Sequence, residues 1–182
     1  MAQKLNRKAY QQTLPRKRVA AGCLLFDAAG RLLIVNPTYK DGWEIPGGVV
    51  EANESPLNGC VREIREELGI EWRPRGLLCV NFAAETAQRT ESLNFIFDGG
   101  VLPEEIIAAI RLPAKELAEH RFLEPDEALG LLKRRLRKRV AECLALRSSG
   151  ITIYLEEEEP VWTADDVGHT DGVPHRHGLK ES

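Results

Sequence analysis

The sequence contains no apolar run approaching the roughly 18 residues that a bilayer-spanning helix needs. Its first stretch, Met1 to Arg18, is polar and basic and lacks the apolar core of a secretory signal, so the cytoplasm is the compartment expected. Cysteine is sparse: Cys23, Cys60, Cys79 and Cys143 are scattered, with no Cys-x-x-Cys pair. That spacing argues against a disulfide framework or a zinc site and for reduced, buried thiols. Net charge is also small, at −3, and by itself points to no polyanionic partner. No internal repeat is present. What is there, in 182 residues of which 43% are hydrophobic and 29% charged, suits one globular domain with a substantial core.

Residues 1 to about 16 read as a flexible N-terminal arm, residues 17 to 159 as the domain, and 160 to 182, rich in Gly, Asp, His and Pro, as a loose tail. Val19 to Phe26 and Arg31 to Val35 flank the turn residues Asp27 to Gly30 and predict a hairpin. Val49-Val50, Leu77 to Ala83, Leu93 to Phe97, Arg121 to Leu123 and Ile151 to Leu155 read as further strands. Ile106 to Leu112 fits strand or helix on periodicity alone, and strand is preferred. Pro125-Asp126-Glu127 opens a helix with Leu129, Leu132, Leu136, Val140 and Cys143 on one face. Helices interleaved with short strands predict an α/β fold around a mixed sheet.

The most informative element is a helix over residues 55 to 69. Ser55 is a good N-cap, Pro56 suits the first helical position, and Gly69 suits the end. Leu57, Cys60, Val61, Ile64 and Leu68 form its apolar stripe. Beside the stripe, Glu63, Glu66 and Glu67 stand at i, i+3 and i+4, an arrangement that is mutually repulsive in water. Taken alone, they are more simply a solvated charged face. Alternatively, hard divalent cations such as magnesium are held by a few carboxylates, with open positions for phosphate oxygens. Pro46-Gly47-Gly48 just before lets the backbone approach, and Arg62 is spaced to pair with Glu54.

The complete spacing decides between these readings. Gly48, five residues, Glu54, seven residues, Arg62-Glu63-Ile64, one residue, Glu66-Glu67, one residue, Gly69-Ile70 matches the Nudix box at every specified position. A chance match has odds on the order of one in ten million for a chain of this length. The chain resembles the Nudix hydrolases, and Trp43 to Gly47 is also similar to that family. The resemblance implies an α/β/α sandwich around a mixed β-sheet, and hydrolysis of a nucleoside diphosphate linked to another moiety, with Mg2+ or, as a substitute, Mn2+. It implies that Gly48 (by its backbone carbonyl), Glu63, Glu66 and Glu67 hold metal, that Arg62 and Glu54 form a structural ion pair, and that Glu63 is the first candidate for the base. A later carboxylate often joins in the family; of Glu116, Glu119 and Glu124, Glu116 fits best.

Substrate identity is less legible. Trp43 and Phe82 are weak candidates for base stacking and serve equally well as core. Arg18 and Arg89 are more simply surface arginines than phosphate ligands. Lys133 to Arg139 is dense enough to raise nucleic acid as a partner, yet a solvated helix face explains it better, so nucleic acid is not expected. Metal binding by His169, His175 and His177 in the tail is disfavoured, and Glu156 to Glu159 reads as a surface loop. Two alternatives to a nucleotide hydrolase stand beside it: a hydrolase of a non-nucleotide diphosphate such as a prenyl diphosphate, and a non-catalytic sensing domain. No membrane partner is expected, and a homodimer is compatible with the resemblance.

Overall fold

Alternation within the second element of the chain sets the layers. A computed structural model describes residues 6–162, beginning with α1 (Arg7–Thr13) and β1 (Arg18–Phe26). In β1, Ala21, Cys23 and Leu25 point to one side of the sheet and Leu24 and Phe26 to the other, and all are buried. Strand β2 (Leu32–Pro37) divides likewise, Leu33 and Val35 against Leu32 and Ile34. Both faces must therefore be covered, which is why these strands read as continuous apolar runs.

The covering helices come from different parts of the chain. After β3 (Gly47–Val49), helix α2 (Pro56–Leu68) packs Cys60, Ile64 and Leu68 on the Cys23/Leu25 side. Strands β4 (Gly76–Ala83) and β5 (Ser92–Val101) precede α3 (Glu104–Ala109), which adds Ile106 and Ile107 to that same side. Beyond β6 (Leu117–Leu123), helices α4 (Pro125–Leu131) and α5 (Arg134–Leu146) cover the opposite face with Ala128, Val140 and Cys143. A 3-10 turn at Arg147–Ser149, β7 (Ile153–Glu156) and β8 (Glu159–Pro160) complete the described chain. The sheet runs β6-β2-β1-β5-β4-β7-β8, with β3 alongside β1. The β1–β5 and β4–β7 pairs are parallel and the others antiparallel, giving the expected mixed sheet in an α/β/α sandwich. All four cysteines are buried and free.

Three local expectations are corrected. Residues 106 to 109 are helical, not strand: Pro103 precedes Glu104 and Glu105 in the first turn of α3, a favourable start for the helix dipole. The single helix expected from Pro125 is two. Leu132 adopts extended backbone at ψ 144, is buried, and bridges Trp43, so a tertiary contact interrupts the helical pattern. Strand β6 starts at Leu117, ahead of the expected Arg121, because it pairs along β2 as far as Pro37. Within residues 1 to 16, Arg7–Thr13 is helical, capped by Asn6, and buries nothing. Glu156 to Glu159 is a tight turn between β7 and β8, with Glu157 and Glu158 at φ 52 and 70 and Glu158 itself buried. His169, His175 and His177 lie outside the described residues.

Candidate active site

Helix α2 is fixed at both ends by local chemistry. Ser55 Oγ accepts from the Asn58 N–H at 3.2 Å, Pro56 occupies the first turn, and Gly69 at φ 68 donates its N–H to Arg65 O. With Cys60, Ile64 and Leu68 inward, the register of the helix sets Glu63, Glu66 and Glu67 along its edge nearest β3. Arg62 holds this edge together by using all five of its donors. Nε and Nη2 each bond one oxygen of Glu54 at 3.0 Å. Nη1 donates to Glu63 at 2.8 Å and to Glu66 at 2.9 Å, and Nη2 also donates to the Val49 carbonyl at 3.0 Å. The hydrogen bonds from Arg62, with the Glu51 N–H, hold the Glu54 carboxyl below the usual range. The expected Glu54–Arg62 pair is thus present, and it also ties the β3 backbone to the helix.

The glycine turn supplies the other side. Gly47 sits at φ 146 with its Cα packed so tightly on the Ala21 carbonyl and Gly22 that no side chain fits. Its N–H donates to Glu67 at 2.8 Å. A Cβ on Gly48 would overlap the Glu63 carboxylate, so the backbone of Gly48 and the side chain of Glu63 share one small space. Burial pushes Glu67 up to about 8, against the pull of the Gly47 N–H; the Glu63 and Glu44 charges add to the rise. Burial also raises Glu63, opposed by Arg62. Among the described residues no three His, Cys, Asp or Glu side chains converge on one metal-sized point, and Glu63 and Glu66 both bond Arg62 Nη1. The donor chemistry nevertheless fits a hard divalent ion: carboxylates whose charge burial disfavours, beside a backbone that glycine alone lets come close.

An open cleft of about 720 Å³ lies over this site. Its floor includes Ala20, Gly22, Asn94 and Ile96 from β1 and β5, and Gly48, Glu63, Glu67 and Glu116 line it. Glu66 is outside the lining and half exposed, turned to Arg62. Of the later carboxylates, Glu116 reaches the cleft, whereas Glu119 pairs with Arg121 at 3.0 Å and Glu124 precedes α4. Trp43 and Phe82 are not among the lining residues. Trp43 packs on the core with the Arg121 guanidinium 4.7 Å from its ring centre, and Phe82 has Lys17 Nζ 5.3 Å from its own. Arg18 does line the cleft, while Arg89 is bound to Glu157 at 2.7 Å.

The cleft also gathers residues the sequence did not single out for it. Glu44 lines it, paired with Lys40 at 2.7 Å, as do Asn94 and Tyr39. Lys133, Arg134 and Arg135, exposed as a solvated face requires, and the half-buried Arg139 also contribute to the lining. No local sequence signal marks this: the break at Leu132, made by packing against Trp43, restarts the helix beside the cleft.

An α/β/α sandwich with a glutamate-edged helix locked by one arginine to a glycine turn is a distinct structural class. A family model described as the NUDIX domain matches residues 16–146, and the chain belongs to the Nudix family. It is 42% identical over 53 residues to an RNA pyrophosphohydrolase of Halorhodospira halophila, covering 29% of each chain. It is 33% identical over 119 residues to an uncharacterized Nudix hydrolase of Pseudomonas aeruginosa, covering 58% of this chain and 62% of that protein. The chain thus spans less than two thirds of the length of either relative. The crystal structure of a MutT protein from Methanosarcina mazei Go1 superposes with TM-score 0.62 at 22% identity, over 74% of this chain and 99% of that one, a likeness of fold.

Proposed function

We propose that the chain hydrolyses a diphosphate bond, in a nucleoside diphosphate linked to another moiety, with magnesium, or manganese in its place. The observation that carries this reading is the contact of the Gly48 backbone with the Glu63 carboxylate at the edge of an open cleft, with Glu67 buried beside them. Glu63, Glu66 and Glu67, with the Gly48 carbonyl, are the oxygen donors for the ion. Bound there, the ion neutralises charge that builds on the phosphoryl oxygens.

The side chains supply the remainder. Water attacks one phosphorus, the bridging P–O bond breaks, and the leaving phosphate keeps the electron pair. Glu63 takes the proton from the water. Glu116 is the second candidate to move that proton, from the cleft side. Arg62 and Glu54 keep the helix edge in register with the turn. Four buried, free thiols suit the reducing cytoplasm, where we place the enzyme.

The test is a panel of nucleoside and non-nucleoside diphosphates with magnesium, assayed for released phosphate and monophosphate. Turnover of a nucleotide derivative that Glu67→Gln abolishes supports the reading. A panel on which nothing turns over, with Glu67→Gln binding every member as wild type does, sinks it.

A further inference from the structure

The cleft that holds the carboxylates is lined from the other side of the sheet by cations. Arg18 comes from β1 and Lys133, Arg134, Arg135 and Arg139 from the start of α5. Among the described residues Arg18, Lys133, Arg134 and Arg139 form no ion pair, and Arg135 reaches only Glu157, at 3.8 Å. Arg18 and Arg139 stand close enough for their charges to oppose each other. Arg139 is half-buried, bonding the Arg135 carbonyl at 3.4 Å. Burial lowers its pKa, with Glu158 the carboxylate that acts most strongly against this.

The arrangement carries a cost that its location explains. Cations at the first turn of a helix meet the positive end of its dipole, where acidic residues are favoured. In α5 that turn has no acidic residue, and Lys133 makes no side-chain cap. Charges drawn from positions far apart in the sequence converge on one cleft, and they face its interior with few carboxylate partners. A cleft of about 720 Å³ has the size of a small-ligand pocket. An anion within it would relieve the repulsion between Arg18 and Arg139 and compensate the first turn of α5.

Resting on the hydrolase reading above, we propose that this cation lining receives a further phosphate of the substrate, so that the cleft selects chains of three or more phosphates over simple diphosphates. A nucleoside 5′-triphosphate and the 5′-triphosphate end of an RNA both present that chemistry.

Binding without turnover tests the proposal. Inorganic tripolyphosphate and inorganic pyrophosphate are titrated calorimetrically into the whole protein in EDTA. Wild type binds tripolyphosphate at least about tenfold more tightly, and Lys133→Ala/Arg134→Ala loses most of that preference. The double variant Arg7→Ala/Arg73→Ala removes the same charge from exposed positions outside the lining and keeps it. Arg18→Gln, on a different element, provides an independent loss should the α5 variant fold poorly. Equal affinities in wild type, or equal losses in the cleft and control variants, overturn the proposal. With magnesium, KM is then compared for a nucleoside triphosphate and a short 5′-triphosphorylated RNA. A rise of about tenfold in KM for either source in Lys133→Ala/Arg134→Ala, at little changed kcat, supports the assignment and names the source. An unchanged KM for both overturns it. Absence of any turnover together with intact tripolyphosphate preference counts against the hydrolase reading alone.

Discussion

The Cα of Gly48 and the carboxylate of Glu63 face each other so closely that a hydrogen is the only substituent glycine can carry there. Gly48→Ala therefore pushes the Glu63 carboxylate out of position while leaving α2 capped and packed. A displacement of about 1 Å at a reacting centre costs on the order of 10²-fold in rate. The expected result is a kcat lowered by about that factor, with unchanged far-UV circular dichroism. Gly76→Ala is the control, since a Cβ there meets nothing within 4 Å and should alter neither.

Arg62→Lys tests whether charge alone holds the glutamate edge. Lysine keeps the charge but has no planar fork to grip both oxygens of Glu54 while also bonding Glu63, Glu66 and Val49. The expected outcome is a lower urea midpoint and a lower kcat together. A lysine variant matching wild type in both would show that the fork is dispensable.

Magnesium should stabilise the folded chain through the same carboxylates. At about a hundredfold excess over its Kd, a ligand adds about 2.7 kcal/mol, or on the order of 5–10 °C in Tm for a domain of this size. Glu67→Gln should remove the shift. Because burial holds Glu67 near 8 without metal, a proton competes with the cation below that pH. Magnesium affinity measured by calorimetry should therefore rise from pH 6 to about 8, with proton release on binding. A flat profile in wild type would remove Glu67 from the ligand set.

Asp98, away from the cleft, should contribute to acid stability. Burial acts to raise its carboxyl, but the Gly100 N–H, Arg75 and Arg147 outweigh it and hold the group below its ordinary value. A depressed folded-state pKa contributes stability above the unfolded value of about 4, and that contribution is lost as pH falls through the folded value. Asp98→Asn should cost on the order of 1–3 kcal/mol at neutral pH. Its stability should also fall less steeply than that of wild type below about pH 4. Parallel acid limbs for the two proteins would contradict this assignment.

Helix α2 is legible because its signals are local: Ser55, Pro56 and Gly69 act on their own neighbours, and the 3.6-residue period places Arg62 and the glutamates without reference to the rest of the chain. The alternating faces of β1 and β2 are legible only in part, since a strand buried on both sides loses its period. The region of α3 misleads because a short apolar run fits either period, although Pro103 followed by Glu104-Glu105 is a usable start signal. The break between α4 and α5 has no breaker at Leu132; packing against Trp43 makes it, and such a long-range effect lies beyond local reading. The cationic part of the cleft depends on that break, which is why Lys133 to Arg139 resembles an ordinary solvated face in the sequence.

The floor of the cleft joins two strands that are remote along the chain. β1 and β5 pair in parallel from Arg18 opposite Ser92 to Phe26 opposite Val101, so Ala20 and Gly22 meet Asn94 and Ile96 only across a long loop closure. Such pairings form slowly, since the entropy of closing the loop is lost before the strands begin to stabilise each other. During synthesis, the locally encoded α2 emerges well before β5. Its glutamates then have a helix but no cleft, because Asn94 and Ile96 of the cleft floor belong to β5. A ribosome-bound chain halted before Ser92 would carry the whole signature from Gly48 to Ile70 and still have nowhere to seat a phosphate.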